Sequence, residues 1–62
     1  MIFYCPMLGR ENIGDIHRDE AAAIQELADM GYDTSKLTRG DRGILSPLFD
    51  AEQNICVSII RV

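Results

Sequence analysis

A nucleophile or a metal centre needs cysteine, histidine or serine side chains held close together. This chain offers two cysteines and one histidine. Cys5 and Cys56 lie near opposite ends of the sequence, each inside an apolar segment, and His17 stands apart from both. There is no C-x-x-C and no H-x₃-H spacing, so Cys5, His17 and Cys56 would meet at a metal only by tertiary convergence. A Cys–His nucleophilic pair would also need an orienting third group and a pocket of about 300 Å³. Ser35, Ser46 and Ser58 have no base nearby in sequence and no nucleophile-elbow glycines. Gly9 and Gly14 are too far apart for a phosphate-binding loop. The sequence therefore predicts no enzyme, no catalytic residue, no metal and no cofactor. Without a secretory signal the two cysteines are expected as reduced, buried thiols in a cytoplasmic protein, with a bridge open only if their strands are neighbours.

Carboxylates are the more abundant chemical resource. Ten acids against six bases give a net charge of −4. That balance opposes direct contact with nucleic acid or an anionic membrane, both of which call for a basic footprint. Seven of the acids fall between residues 11 and 33, around "GDIHRDEAAAIQELADMGYD". Asp15, Asp19, Glu26 and Asp29 fall on one stripe of a helical wheel, and Asp33 follows the helix. Asp15 and Asp19 near a helix start favour the macrodipole, whereas Asp29 near its end opposes it. A helix built only for stability would carry lysine there. Asp15, Asp19, Glu26, Asp29 and Asp33 are accordingly the candidate partner-binding residues, and a solvated, solubilising face is the competing explanation. Lys36, Arg39 and Arg42 make "RGDRG" and its flank the one basic spot, and its glycines read as turn residues.

The elements that must position these residues can be read in outline. "MIFYCPML" reads as a first strand, which Pro6 should place at a sheet edge or end. Asp15 reads as an N-cap, with helix from Ile16 to about Met30 and Gly31 just beyond it. Ile16, Ala23, Ile24, Leu27 and Met30 form its apolar arc, into which Glu20 projects. "ILSPLF" (44–49) reads as a second strand and the β-branched, proline-free "ICVSIIRV" (55–62) as a third. The third should be central and the proline-bearing strands its edges. The predicted architecture is a single α+β domain over residues 1–62. It is a split β-α-β-β fold whose three-stranded sheet has the order 1-3-2, with one helix packed on one face.

That architecture has a functional consequence. Both faces of the third strand are apolar, with Ile55, Val57 and Ile59 on one and Cys56, Ser58, Ile60 and Val62 on the other. One helix covers one face. The other must be covered by a second copy, by a partner, or by the 32–43 segment with Tyr32 and Leu37. No apolar run approaches the roughly 20 residues of a membrane span. Small size, acid excess and lack of catalytic groups resemble phage-encoded inhibitors of host machinery, including anti-CRISPR-like and DNA-mimic-like proteins; this analogy rests on composition, with no motif behind it. The expected function is a protein-binding module that acts by occlusion on a larger partner with a basic surface. The alternative is a homodimeric structural or regulatory subunit joined through the sheet.

Overall fold

The structure is a computed structural model and describes residues 1–43 and 46–62. Strand β1 (Ile2–Leu8) leads into the two-residue β2 (Glu11–Asn12), then helix α1 (Glu20–Asp29) and a short 3-10 turn (Thr34–Lys36). Strands β3 (Thr38–Arg39), β4 (Leu48–Asp50) and β5 (Ile55–Arg61) complete the fold. The start of the expected second strand, at 44–45, lies outside the described residues.

The three-stranded sheet expected from the sequence is corrected. Among the described residues the sheet has five strands, in the order β2-β1-β5-β4-β3, and every neighbouring pair is antiparallel. The α+β class is compatible with this arrangement. The longest pairing joins β1 to β5 over seven residue pairs, from Ile2–Arg61 to Leu8–Ile55. β2 and β3 extend the sheet at its two margins.

Pro6 shows why β1 can be interior. The N and C=O of one strand residue point to the same side, and the Pro6 carbonyl accepts from the Ile13 amide at 3.1 Å, on the side away from β5. The missing N–H therefore faces the margin where the two-residue β2 has already ended, and no β1–β5 ladder bond is lost.

The helix starts later than its apolar arc suggests. His17 and Tyr4 exchange both backbone hydrogen bonds, at 2.7 Å each, so the segment at His17 is pinned to β1 as a bridge. Asp19, with extended backbone angles, is the N-cap in place of Asp15, and its side chain makes no capping bond. Ile16 is consequently 57% exposed and takes no part in a helical face. The helix ends at Asp29, and Gly31 (φ +100°) supplies the left-handed conformation that lets the chain leave it.

The core lies between α1 and one face of the sheet. Ala23 and Leu27 pack against Leu48, Ile55 and Val57, ringed by Tyr4, Leu8, Ile13, Ile24, Tyr32 and Leu37. Burial along β5 reports the two faces directly: Ile55 and Val57 are buried, while Cys56 and Ser58 between and beyond them are only half-buried. The register places Phe3, Cys5 and Met7 of β1, Cys56, Ser58 and Ile60 of β5, and Phe49 of β4 on the second face. Tyr32 and Leu37 belong to the core on the helix side, so the side chains the sequence offered as cover are not available to it.

Candidate functional site

The five candidate acids do not form one row. Only Glu26 and Asp29 lie within α1. Asp15 precedes the helix by several residues, Asp19 caps it, and Asp33 follows it. Glu26 is engaged within the chain, where its Oε1 accepts from the Asp15 amide at 2.9 Å and pairs with His17 Nε2 at 2.7 Å. This clasp ties the 14–17 segment to the helix it precedes. The hydrogen bond from His17, aided by the Asp15 amide, holds the Glu26 carboxyl below the usual carboxylate range.

Asp33 is likewise occupied. It caps the 3-10 turn, accepting from the Ser35 amide at 3.0 Å and the Ser35 hydroxyl at 2.6 Å, and these bonds depress its pKa. Asp15, Asp19 and Asp29 remain exposed, Asp29 accepting from Gln25 Nε2 at 2.9 Å. These three, with the exposed and ionised Asp33, keep the acidic surface that the sequence suggests for a partner.

Two polar arrangements are not legible in the sequence. Glu20, which helical periodicity puts at the edge of the apolar arc, forms a two-pronged pair with Arg39 at 3.1 and 2.5 Å. Arg39 also donates to the Ser46 carbonyl at 3.1 Å, so it braces β3 against both the helix and the chain entering β4. The guanidinium is thereby held more firmly protonated than usual, chiefly by its hydrogen bonds to Glu20. The basic spot is thus partly turned inward, and Lys36 adds an exposed pair with Glu52 at 3.5 Å.

The second arrangement centres on Gln53. Its Nε2 donates to the buried Asp50 at 2.6 Å and to the Asp33 carbonyl at 2.7 Å, while its Oε1 accepts from the Asp33 amide at 3.0 Å. The Asp50 carboxylate also accepts from the Glu52 amide at 3.0 Å, and the Gln53 bond leads in lowering its pKa. The signal present in sequence is "DAEQN", whose leading aspartate suits a turn that bonds back to the amide two residues on. The reach to Asp33 has no such local signal.

These three carboxyls set a pH dependence. Each is depressed in the folded chain, so the stability it contributes is fully present above the ordinary carboxylate range and is lost as pH falls through the folded value. Chemical denaturation should give a midpoint that is level above about pH 5 and falls progressively below about pH 4. Glu26→Gln, Asp33→Asn and Asp50→Asn should each flatten that acid limb. An unchanged limb in all three would show that other groups govern acid unfolding.

The remaining surface of chemical interest is the second sheet face. Phe49 is 45% exposed, and Phe3, Met7, Cys56 and Ile60 are half-buried. Arg18 lies over the Phe3 ring at 5.9 Å, a cation–π contact at one margin. Both cysteines are free thiols on this face, and burial pushes the pKa of each up. Among the described residues, no cluster of three or more His, Cys, Asp or Glu is placed to hold a metal, and no helix is long and apolar enough to cross a membrane. No family model matches the chain, and neither a curated protein nor a solved structure matches it.

Proposed function

We propose that this chain is a small protein-binding module that acts by occlusion, seating the uncovered sheet face on a larger partner. The observation that carries this reading is the apolar set Phe3, Met7, Phe49, Cys56 and Ile60, left without a covering element among the described residues. An apolar face of this kind marks an interaction surface more often than it occurs by chance. Phe3 and Phe49 are the natural anchors, since aromatic side chains that fill partner pockets carry much of the energy of an interface.

The charge balance supports a basic partner surface, of the kind that ordinarily holds a nucleic-acid backbone. The net charge is −4, Arg39 and Lys36 are engaged with the chain's own acids, and Asp15, Asp19 and Asp29 are exposed. Such charges speed encounter and reject wrong partners, while the apolar contacts hold the complex. A cytoplasmic setting, where free thiols stay reduced, belongs to the same proposal.

The test compares wild type with Phe49→Asp and with Asp19→Lys/Asp29→Lys. Phe49→Asp should leave the fold within about 0.5 kcal/mol, as a surface change away from special features does. It should abolish capture of a partner that wild type retains and that heparin, a polyanion competing for basic surface, elutes. The lysine variant should weaken capture and reduce its salt dependence. Capture indifferent to Phe49→Asp would overturn the reading. A concentration-dependent dimer in sedimentation that Phe49→Asp dissociates would replace it with the homodimeric alternative, which uses the same face.

A further inference from the structure

Two sulfur atoms meet on the second sheet face, and a third, that of Cys56, stands across from them on β5. Cys5 and Met7 stand two residues apart on β1 and so share that face, with Cys5 Sγ 3.9 Å from Met7 Sδ. Cys56 is the register partner of Met7 on β5 and is diagonal to Cys5, which itself pairs with Ser58. In the sequence, Cys5, His17 and Cys56 are a metal set only by tertiary convergence. The fold turns His17 away to Glu26 on the helix side and puts Met7 beside the two cysteines instead.

We propose that Cys5, Met7 and Cys56 form a three-coordinate site for a soft monovalent metal ion, Cu(I). Thiolate and thioether sulfur select Cu(I) over harder cations. At a metal–sulfur distance of about 2.3 Å, three sulfurs in a trigonal plane stand about 4 Å apart. The 3.9 Å between Cys5 and Met7 already has that spacing. Zinc would ask for a fourth ligand in a tetrahedron. The register neighbours on this face are Phe3, Ser58, Ile60 and Phe49, none of which supplies an imidazole or a carboxylate.

Binding breaks two S–H bonds and forms two thiolate–copper bonds and one thioether–copper bond. Two protons pass to solvent and the metal keeps its oxidation state. The centre then carries one negative charge, and the Arg18 guanidinium over Phe3 lies on the same face. Cys5 is 2% exposed and Cys56 half-buried, so the ion arrives from the Cys56 side. The site shares Met7 and Cys56 with the proposed docking face, but its test does not depend on that reading, because copper uptake is measured on the free chain.

The experiment is an anaerobic titration of the reduced protein with Cu(I) against bathocuproine disulfonate, followed by copper-edge X-ray absorption. The expected result is one copper per chain with three sulfur neighbours. Met7→Leu conserves volume and should fold as wild type does, yet drop the centre to two sulfurs and weaken retention against the competitor. Cys5→Ser/Cys56→Ser should take up none. The proposal is overturned by no uptake in wild type, by equal uptake in the double serine variant, or by one copper shared between two chains. An unchanged sulfur count in Met7→Leu would also overturn it.

Discussion

Leu27→Ala is expected to cost about 2–5 kcal/mol, the usual range for truncating a buried leucine. Leu27 is fully buried on α1 and packs in one cluster with Ala23, Leu48, Ile55 and Val57. It is the one large, fully buried side chain that the described helix sends into this cluster, Ala23 being small and Ile24 only half-buried. The surrounding strands are held by their ladders, so they can close only part of the space a missing isobutyl group leaves. A chain of 62 residues has about 3–9 kcal/mol of stability in total. Losing Leu27 therefore removes much of it, and each kcal/mol lowers the thermal midpoint by about 4–8 °C in a domain of this size. Ile16→Ala and Met30→Ala are the controls. The sequence puts all three residues on one apolar arc, but Ile16 and Met30 are 57% and 42% exposed. Each should change stability by no more than about 0.5 kcal/mol. Thermal and urea denaturation of the three variants decides the point. Comparable losses in all three would mean that the helix begins near Ile16 after all.

That contrast shows where the sequence is informative. A β-branched run such as "ICVSIIRV" reports a strand because its signal is local and long. β2 and β3 have two residues each, too few for any alternation to register. The proline rule reads differently at two strands. β5 lacks proline and stands in the middle of the sheet, whereas β1 contains Pro6 and is interior as well. What spares β1 is the direction of a single missing N–H, which depends on where Ile13 returns. The early helix start fails for the same reason. Ile16 and His17 satisfy the helical wheel, but a nonlocal pair of hydrogen bonds to Tyr4 takes His17 first.

The candidate site is legible to a similar degree. The apolar second face follows from the composition of β5 together with the presence of one helix. The acidic stripe does not survive intact, because Asp15 and Asp19 lie outside the helix and His17, nine residues distant in sequence, claims Glu26, as Arg39, nineteen residues distant, claims Glu20 on the apolar arc. Helical periodicity counts charges by angle and is blind to such partners. Of the five candidates, Asp15, Asp19, Asp29 and Asp33 stay exposed and form no ion pair in the described structure, the Asp33 carboxylate being held by Ser35 alone. A charge row read from sequence is therefore an upper limit on what reaches solvent.

The second large effect is expected at Gly14, where Gly14→Ala should destabilise the fold by about 1–3 kcal/mol, the usual cost of overpacking. A Cβ built at Gly14 would stand 2.5 Å from Glu26 Oε1 and 2.6 Å from Pro6 Cγ. These two obstacles differ in kind. The Glu26 carboxylate ends a flexible side chain and can swing aside, but doing so gives up the Asp15 amide and His17 together. The Pro6 ring cannot move that way, since it is among the most buried side chains and belongs to the paired centre of β1. The added methyl thus either breaks the clasp or displaces the strand. A double-mutant cycle with Glu26→Ala separates the contributions, because residues sharing a contact do not add. Glu26→Ala alone loses the clasp. Once it is lost, adding Gly14→Ala should cost less than it does in wild type, and the Pro6 contact should keep that cost above zero. Urea denaturation reads the energies, and the His17 ring resonances report whether the clasp is still formed. Gly14→Ala with wild-type stability and unchanged His17 resonances would show that the 14–17 segment is not held against β1 and α1 as described.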